Sequence, residues 1–88
     1  MHTQQLKSIH VSLIFDPGLE LITGNRRMDI VVSEGATFLF LLHSLCTSYP
    51  PIQHLYPPGK LGFLVNGLPP KVDSVLHEGD EIFFKDCL

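Results

Sequence analysis

Residues 9 to 15, IHVSLIF, set Ile9, Val11 and Leu13 at alternate positions with His10 and Ser12 between them, the period-2 pattern of a half-buried strand. Asp16-Pro17-Gly18 then reads as a turn and Thr23-Gly24-Asn25-Arg26 as a second one, with only residues 19 to 22 between them. Residues 28 to 33, MDIVVS, are again β-branched and roughly alternating. The pattern predicts an N-terminal hairpin with a long connection.

At Glu34-Gly35-Ala36-Thr37 the period changes. Thr37 stands where an N-cap hydroxyl would accept from an early helical N–H, and Phe38, Leu41, Leu42 and Leu45 follow at i, i+3, i+4 and i+7. A helix with this stripe laid on a sheet is expected. Leu39 and Phe40 fall outside the stripe, on the flank and back of the helix. Two readings stay open: Leu39 under the following loop with Phe40 against the N-terminal segment, or an exposed apolar patch that marks a partner surface.

Residues 47 to 60, TSYPPIQHLYPPGK, hold two Pro-Pro pairs that forbid continuation of the helix, because proline lacks an N–H and restricts the residue before it. A stiff connector is expected; the doubled Tyr-Pro-Pro carries only a weak proline-ligand signal. Residues 61 to 67, LGFLVNG, are a strand running into an Asn-Gly turn. Asp73-Ser74-Val75-Leu76 suggests a short helical or turn element, His77-Glu78-Gly79-Asp80 another turn, and residues 81 to 85, EIFFK, the last strand. The order of hairpin, helix, strand, crossover and strand predicts an α+β roll of β-grasp topology, with one main helix packed on a mixed four- to five-stranded sheet.

Eighty-eight residues make one domain, 1–88, since a chain of this size buries only about 60–65% of its unfolded surface and has nothing left for a second core. An apolar fraction of 44% with 17% charged residues suits a folded globule. A net charge of −3 and six Lys plus Arg argue against nucleic acid, which demands clustered cations. No apolar run approaches the roughly 20 residues that span a bilayer and no signal-peptide pattern opens the chain, so no membrane is expected and the cytoplasm is the expected location. Cys46 and Cys87 have neither CxxC nor disulfide-framework spacing and are expected as free thiols.

The chemistry-bearing residues are dispersed. His2, His10, His43, His54 and His77 form no HxH or HxxxH pair, and no metal or other cofactor is implied. Asp73, Glu78, Asp80 and Glu81 cluster around turns, where capping explains them, and Asp80 is expected to bond its own turn backbone. Arg26-Arg27 beside Gly24-Asn25 reads as a solubilising turn or as a contact for a small anion or acidic partner. No nucleophile with a base partner stands out, so the chain is not expected to be an enzyme.

Within FLVNGLPPKVDSVLHEGDEIFF, a strand ending Val-Asn-Gly is followed by a short connection, Gly-Asp-Glu-Ile and an apolar strand; upstream, SEGATFLFLLHSLCTSYP opens a helix at Gly-x-Thr and carries Leu-Leu before a Tyr-Pro loop. In this combination, over residues 9 to 85, the chain resembles the ubiquitin-like sulfur carriers, the MoaD-like small subunit of molybdopterin synthase and the ThiS-like thiamin carrier. The resemblance implies a β-grasp fold and a partner such as an activating-enzyme-like or synthase-like subunit. In that family the last strand leads into a Gly-Gly tail whose carboxylate becomes a thiocarboxylate. Here Phe84 is followed by Lys85-Asp86-Cys87-Leu88 with no di-glycine, so that role is carried to no residue.

Three readings follow. The first is a non-catalytic interaction module or accessory subunit that binds another protein or itself through Leu39, Phe40, Tyr49, Tyr56, Phe83 and Phe84. A sulfur carrier with a truncated or replaced tail, Cys87 serving as a reactive thiol, is the second; Asp86 beside that thiol works against thiolate formation. The third is an RNA- or nucleotide-binding β-grasp domain, opposed by the acidic balance.

Overall fold

The computed structural model describes residues 7–56, 59–71 and 73–86. Strand β1 (Ser8–Phe15) leads through helix α1 (Pro17–Thr23) to β2 (Arg27–Ser33); α2 (Phe38–Ser48) and α3 (Pro51–Leu55) follow, and then β3 (Leu61–Val65) and β4 (Glu81–Asp86). The sheet runs β2-β1-β4-β3, with β1 antiparallel to β2, parallel to β4, and β4 antiparallel to β3. This is a mixed four-stranded sheet with helices, the β-grasp arrangement expected of an α+β roll. The first and last strands of the chain lie side by side at its centre.

Alternation decides what β1 buries. Ile9, Val11, Leu13 and Phe15 all face the helices and are buried, as are Ile82 and Phe84 of β4. Phe15 stacks on Phe84 with centroids 5.4 Å apart, Phe84 meets the edge of Phe63 at 5.6 Å, and Phe63 that of Phe38 at 5.1 Å. This aromatic chain ties β1, β4, β3 and α2 into one core, each pair adding about 0.5–1.5 kcal/mol beyond its buried area.

Helix α2 starts and packs as its sequence predicts. The Thr37 hydroxyl accepts from Phe40 N at 3.2 Å, and Phe38, Leu41 and Leu45 are buried, with Leu42 packed beside them. Neither connection matches its expectation. The stretch expected as turns after β1 is α1: Asp16 caps it by accepting from Leu19 N at 3.1 Å, Pro17 is pre-set for its first turn, and Gly24 closes it at φ 77°. It brings Leu19 into the core. Residues 51 to 55 of the expected stiff connector form α3, with Pro51 in the first turn and Ile52 only 1% exposed. Proline ended α2 and began α3, since its fixed φ suits a first helical position as well as it interrupts an interior.

The Asn66-Gly67 turn takes positive φ at both residues (51° and 84°) and closes a Val65–Leu68 bridge. Residues 73 to 76 form the turn rather than the helix of the two expected elements, Ser74 N donating to Lys71 O at 3.0 Å; Val75 then bridges to Thr37, and Leu76 N donates to Ala36 O at 2.9 Å. That bridge lets Leu76 reach the core.

Candidate functional site

Among the described residues the helices all lie on one side of the sheet and none covers the other. Strand parity places Arg27, Asp29, Val31 and Ser33 of β2, His10, Ser12 and Ile14 of β1, Glu81, Phe83 and Lys85 of β4, and Gly62 and Leu64 of β3 on that open side. Pairing aligns them into rows. Ile14 stands between Arg27 and Phe83, and Phe83 between Ile14 and Leu64. The result is an apolar band of Ile14, Phe83 and Leu64, all half-buried, crossing the three strands β1, β4 and β3.

One row away the face is polar and internally paired. Ser12 stands between Asp29 and Glu81; its hydroxyl donates to Asp29 Oδ1 at 2.7 Å and accepts from Arg27 Nη2 at 3.0 Å. The guanidinium also lies 3.4 Å from both Asp29 Oδ1 and Glu81 Oε2. The Ser12 hydrogen bond, and then that from Arg27, hold the Asp29 carboxyl below its usual range. Further along, Glu78 Oε1 accepts from His10 N at 3.1 Å and lies 3.2 Å from His10 Nδ1, and these contacts hold its carboxyl below the ordinary value. The face thus combines an apolar band with a polar rim in which one cation, Arg27, bridges two carboxylates.

The end of the face near β3 is locked by a clasp. Asn66 Nδ2 donates to Asp80 Oδ1 at 2.9 Å, Asn66 Oδ1 accepts from Glu81 N at 2.9 Å, and Asp80 Oδ2 accepts from His77 N at 2.8 Å. Asp80 therefore bonds its own turn, as its position in the sequence predicts. It also holds the Asn-Gly turn against the start of β4, which holds Phe83 and Leu64 in register.

The predicted contact residues do not share one surface. Phe83 lies on the open face. Phe84, its neighbour, is 0% exposed and belongs to the core; the sequence reading placed it at a partner surface, but alternation turns it the other way. Leu39 and Phe40 are 53% and 55% exposed on α2, across the sheet from Phe83. Tyr49 and Tyr56 are half-buried against the core. Tyr56 reaches over α1, where a Cβ on Gly18 would come within 2.6 Å of its hydroxyl. Burial, and then Asp86 and Asp16, raise the Tyr56 phenol above its usual value. Cys87 lies outside the described residues, and Cys46 is a free thiol.

Arg27 is no turn residue: it opens β2 and is engaged by Ser12, Asp29 and Glu81. The sequence reading did not single out Ile14 and Leu64, which lie beside Phe83 in the band. Their signal was parity, since each is the apolar residue of its strand that breaks the polar alternation of the open side. A cavity of about 440 Å³ between α2, α3 and β3 is walled by Leu42, Cys46, Ile52, Tyr56, Leu61 and Phe63, a nearly all-apolar lining without a charged group.

Among the described residues no group of three or more His, Cys, Asp or Glu side chains is placed to share a metal ion, and no helix is long and apolar enough to cross a membrane. No family model matches the sequence, and no curated protein matches it. Solved structures match the fold closely. Small archaeal modifier protein 1 of Haloferax volcanii superposes with a TM-score of 0.77 at 19% identity, over 91% of this chain and 99% of that one. A Pyrococcus furiosus protein assigned as molybdopterin converting factor subunit 1 gives 0.80 at 16% identity, over 91% and 99%. Small archaeal modifier protein 1 of Methanosarcina acetivorans gives 0.73 at 18% identity, over 91% and 94%. The likeness establishes the ubiquitin-like β-grasp fold of this chain.

Proposed function

We propose that this protein is a non-catalytic ubiquitin-like module that docks another protein through the open face of its sheet. The observation that carries this reading is the band of Ile14, Phe83 and Leu64, an apolar stripe framed by the mutually hydrogen-bonded polar groups of Ser12, Arg27, Asp29 and Glu81. An apolar centre with a polar rim is the anatomy of a protein interface.

The fold neighbours support a partner of a particular kind. They include archaeal modifier proteins and a molybdopterin converting factor subunit, and the sequence motifs resemble the MoaD and ThiS carriers. The partner that suits this reading is an adenylating enzyme or the large subunit of a synthase of the same organism.

The test is titration of the isotope-labelled chain with each of these two proteins, followed by amide NMR. Shifts confined to β1, β3 and β4, together with at least a tenfold weaker Kd for Phe83→Asp or Ile14→Asp in a folded protein, support the face as the site. Binding to both proteins that is unchanged by either substitution rejects it.

A further inference from the structure

The sheet order leaves β2 at one edge. Its ladder with β1 is bounded by the bond from Phe15 N to Arg26 O at 2.9 Å and that from Glu34 N to Lys7 O at 2.7 Å. With the uninterrupted register between them, these fix which residues of β2 bond inwards: Met28, Ile30 and Val32 turn their main-chain groups to β1, while Arg27, Asp29, Val31 and the Ser33 N–H turn to an edge that no described residue pairs with, the Ser33 carbonyl accepting from Ala36 N at 3.0 Å. Monomeric proteins blunt such an edge with charge, proline or a bulge. From Ile30 to Ser33 this edge has none of these.

Beside the edge, β2 and α2 enclose a groove of about 400 Å³ lined by Ile30, Val31, Val32, Phe40, Leu41 and Ser44. Val31 is 59% exposed, and Phe40 belongs to the pair on α2 that the core leaves out.

We propose that this edge pairs with the same edge of a second copy, β2 against β2 and antiparallel, so that two four-stranded sheets become one. Open main-chain groups at strand spacing ask for another strand, apolar on the helix side and polar on the other. β2 itself meets that description. In the register that overlaps Arg27–Ser33 completely, Ile30 faces Ile30 of the second copy and Met28 faces its Val32, continuing the apolar row under the helices. On the open side Arg27 faces Ser33 of the second copy and Asp29 faces its Val31, so no like charges stand opposite. A pairing centred on Asp29 would oppose two carboxylates. A slip by one residue would set outward groups against inward ones.

The two-fold axis also gives Phe40 a place. It lies beside Val31, Val32 and Ser33 of its own strand, the end that meets Arg27 and Met28 of the second copy. Each Phe40 therefore covers the Met28 end of the opposite strand, and both copies bury the same residues in the same way, as a closed isologous contact requires. The open-face band of Ile14, Phe83 and Leu64 stays uncovered, so the dimer and the docking face are separate surfaces.

Light scattering and sedimentation equilibrium on the full chain test the pairing. A concentration-dependent dimer is expected, at least about tenfold weaker for Val31→Pro, which removes an outward N–H and leaves the bonds to β1 intact. Should Val31→Pro fail to fold, Phe40→Lys serves in its place with the same expectation. In a Cys46→Ala, Cys87→Ala background, Ile30→Cys is expected to form an intermolecular disulfide under mild oxidation, because non-hydrogen-bonded antiparallel neighbours bring their Cβ atoms close; Ser33→Cys, which faces Arg27, is not. A chain that stays monomeric to about 1 mM overturns the proposal. So does a dimer that Phe40→Lys leaves intact and Ile30→Cys does not cross-link, or one that only Phe83→Asp dissociates.

Discussion

Phe83 and Phe84 are consecutive aromatic residues of one strand, and they live in different molecules as far as physics is concerned. Phe84 touches Phe15 and Phe63 and sees no solvent; Phe83 lies between Ile14 and Leu64 on the face that no helix covers. One side of the sheet is filled by α1, α2 and α3, the other by a short apolar band and a polar network. The difference teaches that hydrophobicity alone does not assign a residue to the core or to the open face here. The pleat does, residue by residue.

The largest effect that sharpens this contrast is on folding. Phe84→Ala is expected to cost about 3–5 kcal/mol in urea unfolding, by lost transfer energy and an unfilled cavity in the aromatic chain. Phe83→Ala is expected to cost about 1 kcal/mol or less and to act on partner binding. Equal losses of stability for the two would break the comparison.

Next in size is the clasp that holds the edge of the open face. Asp80→Ala strips the acceptors from His77 N and Asn66 Nδ2, and a loss of about 1–3 kcal/mol is expected. Amide exchange should quicken first at residues 66 to 68 and 77 to 81. On the covered side, Thr37→Ala leaves Phe40 N without its cap and is expected to lower stability by about 1 kcal/mol, with Thr37→Ser restoring most of it.

The smallest effect belongs to the rim. Asp29 and Glu78 titrate below their ordinary values because hydrogen bonds from Ser12 and His10 favour the charged forms. A depressed folded pKa means that the stabilisation is present above the unfolded carboxylate range and is lost as the pH falls through the folded values. Thermal melts should therefore show a small decline on acidification, shallower in Glu78→Gln. Tyr56 has the opposite sign: its raised pKa contributes stability that is full below the ordinary phenol value and is lost as the pH rises through the folded one.

Local signals carried the strands and α2 well. The alternation of residues 9 to 15, the cap at Thr37 and the turn at Asn66-Gly67 each act within a few residues, and each stands in the structure where its chemistry placed it. The failures were short helices. Four residues between two turn clusters are too few to show a helical period, and a helix of five to seven residues depends on a buried anchor, with a side-chain cap only in α1. Leu19 and Ile52 are those anchors. Asp16 and Pro17 did signal the first, as N-cap and first-turn proline, yet the same pair equally signals a turn.

By itself the sequence determined the faces. Parity within each strand sends Ile82 and Phe84 one way and Glu81, Phe83 and Lys85 the other, whatever the strand pairs with, because the pleat is a property of a few consecutive residues. Only the tertiary structure decided which strands are neighbours. β1 and β4, from opposite ends of the chain, pair in parallel through a register no local motif encodes, and this puts Ile14 beside Phe83, Ser12 beside Glu81, and β2 at one edge of the sheet. Register is settled when the apolar faces of distant strands are buried together under the same helices, and the band, its rim and the β2 edge exist only once that has happened.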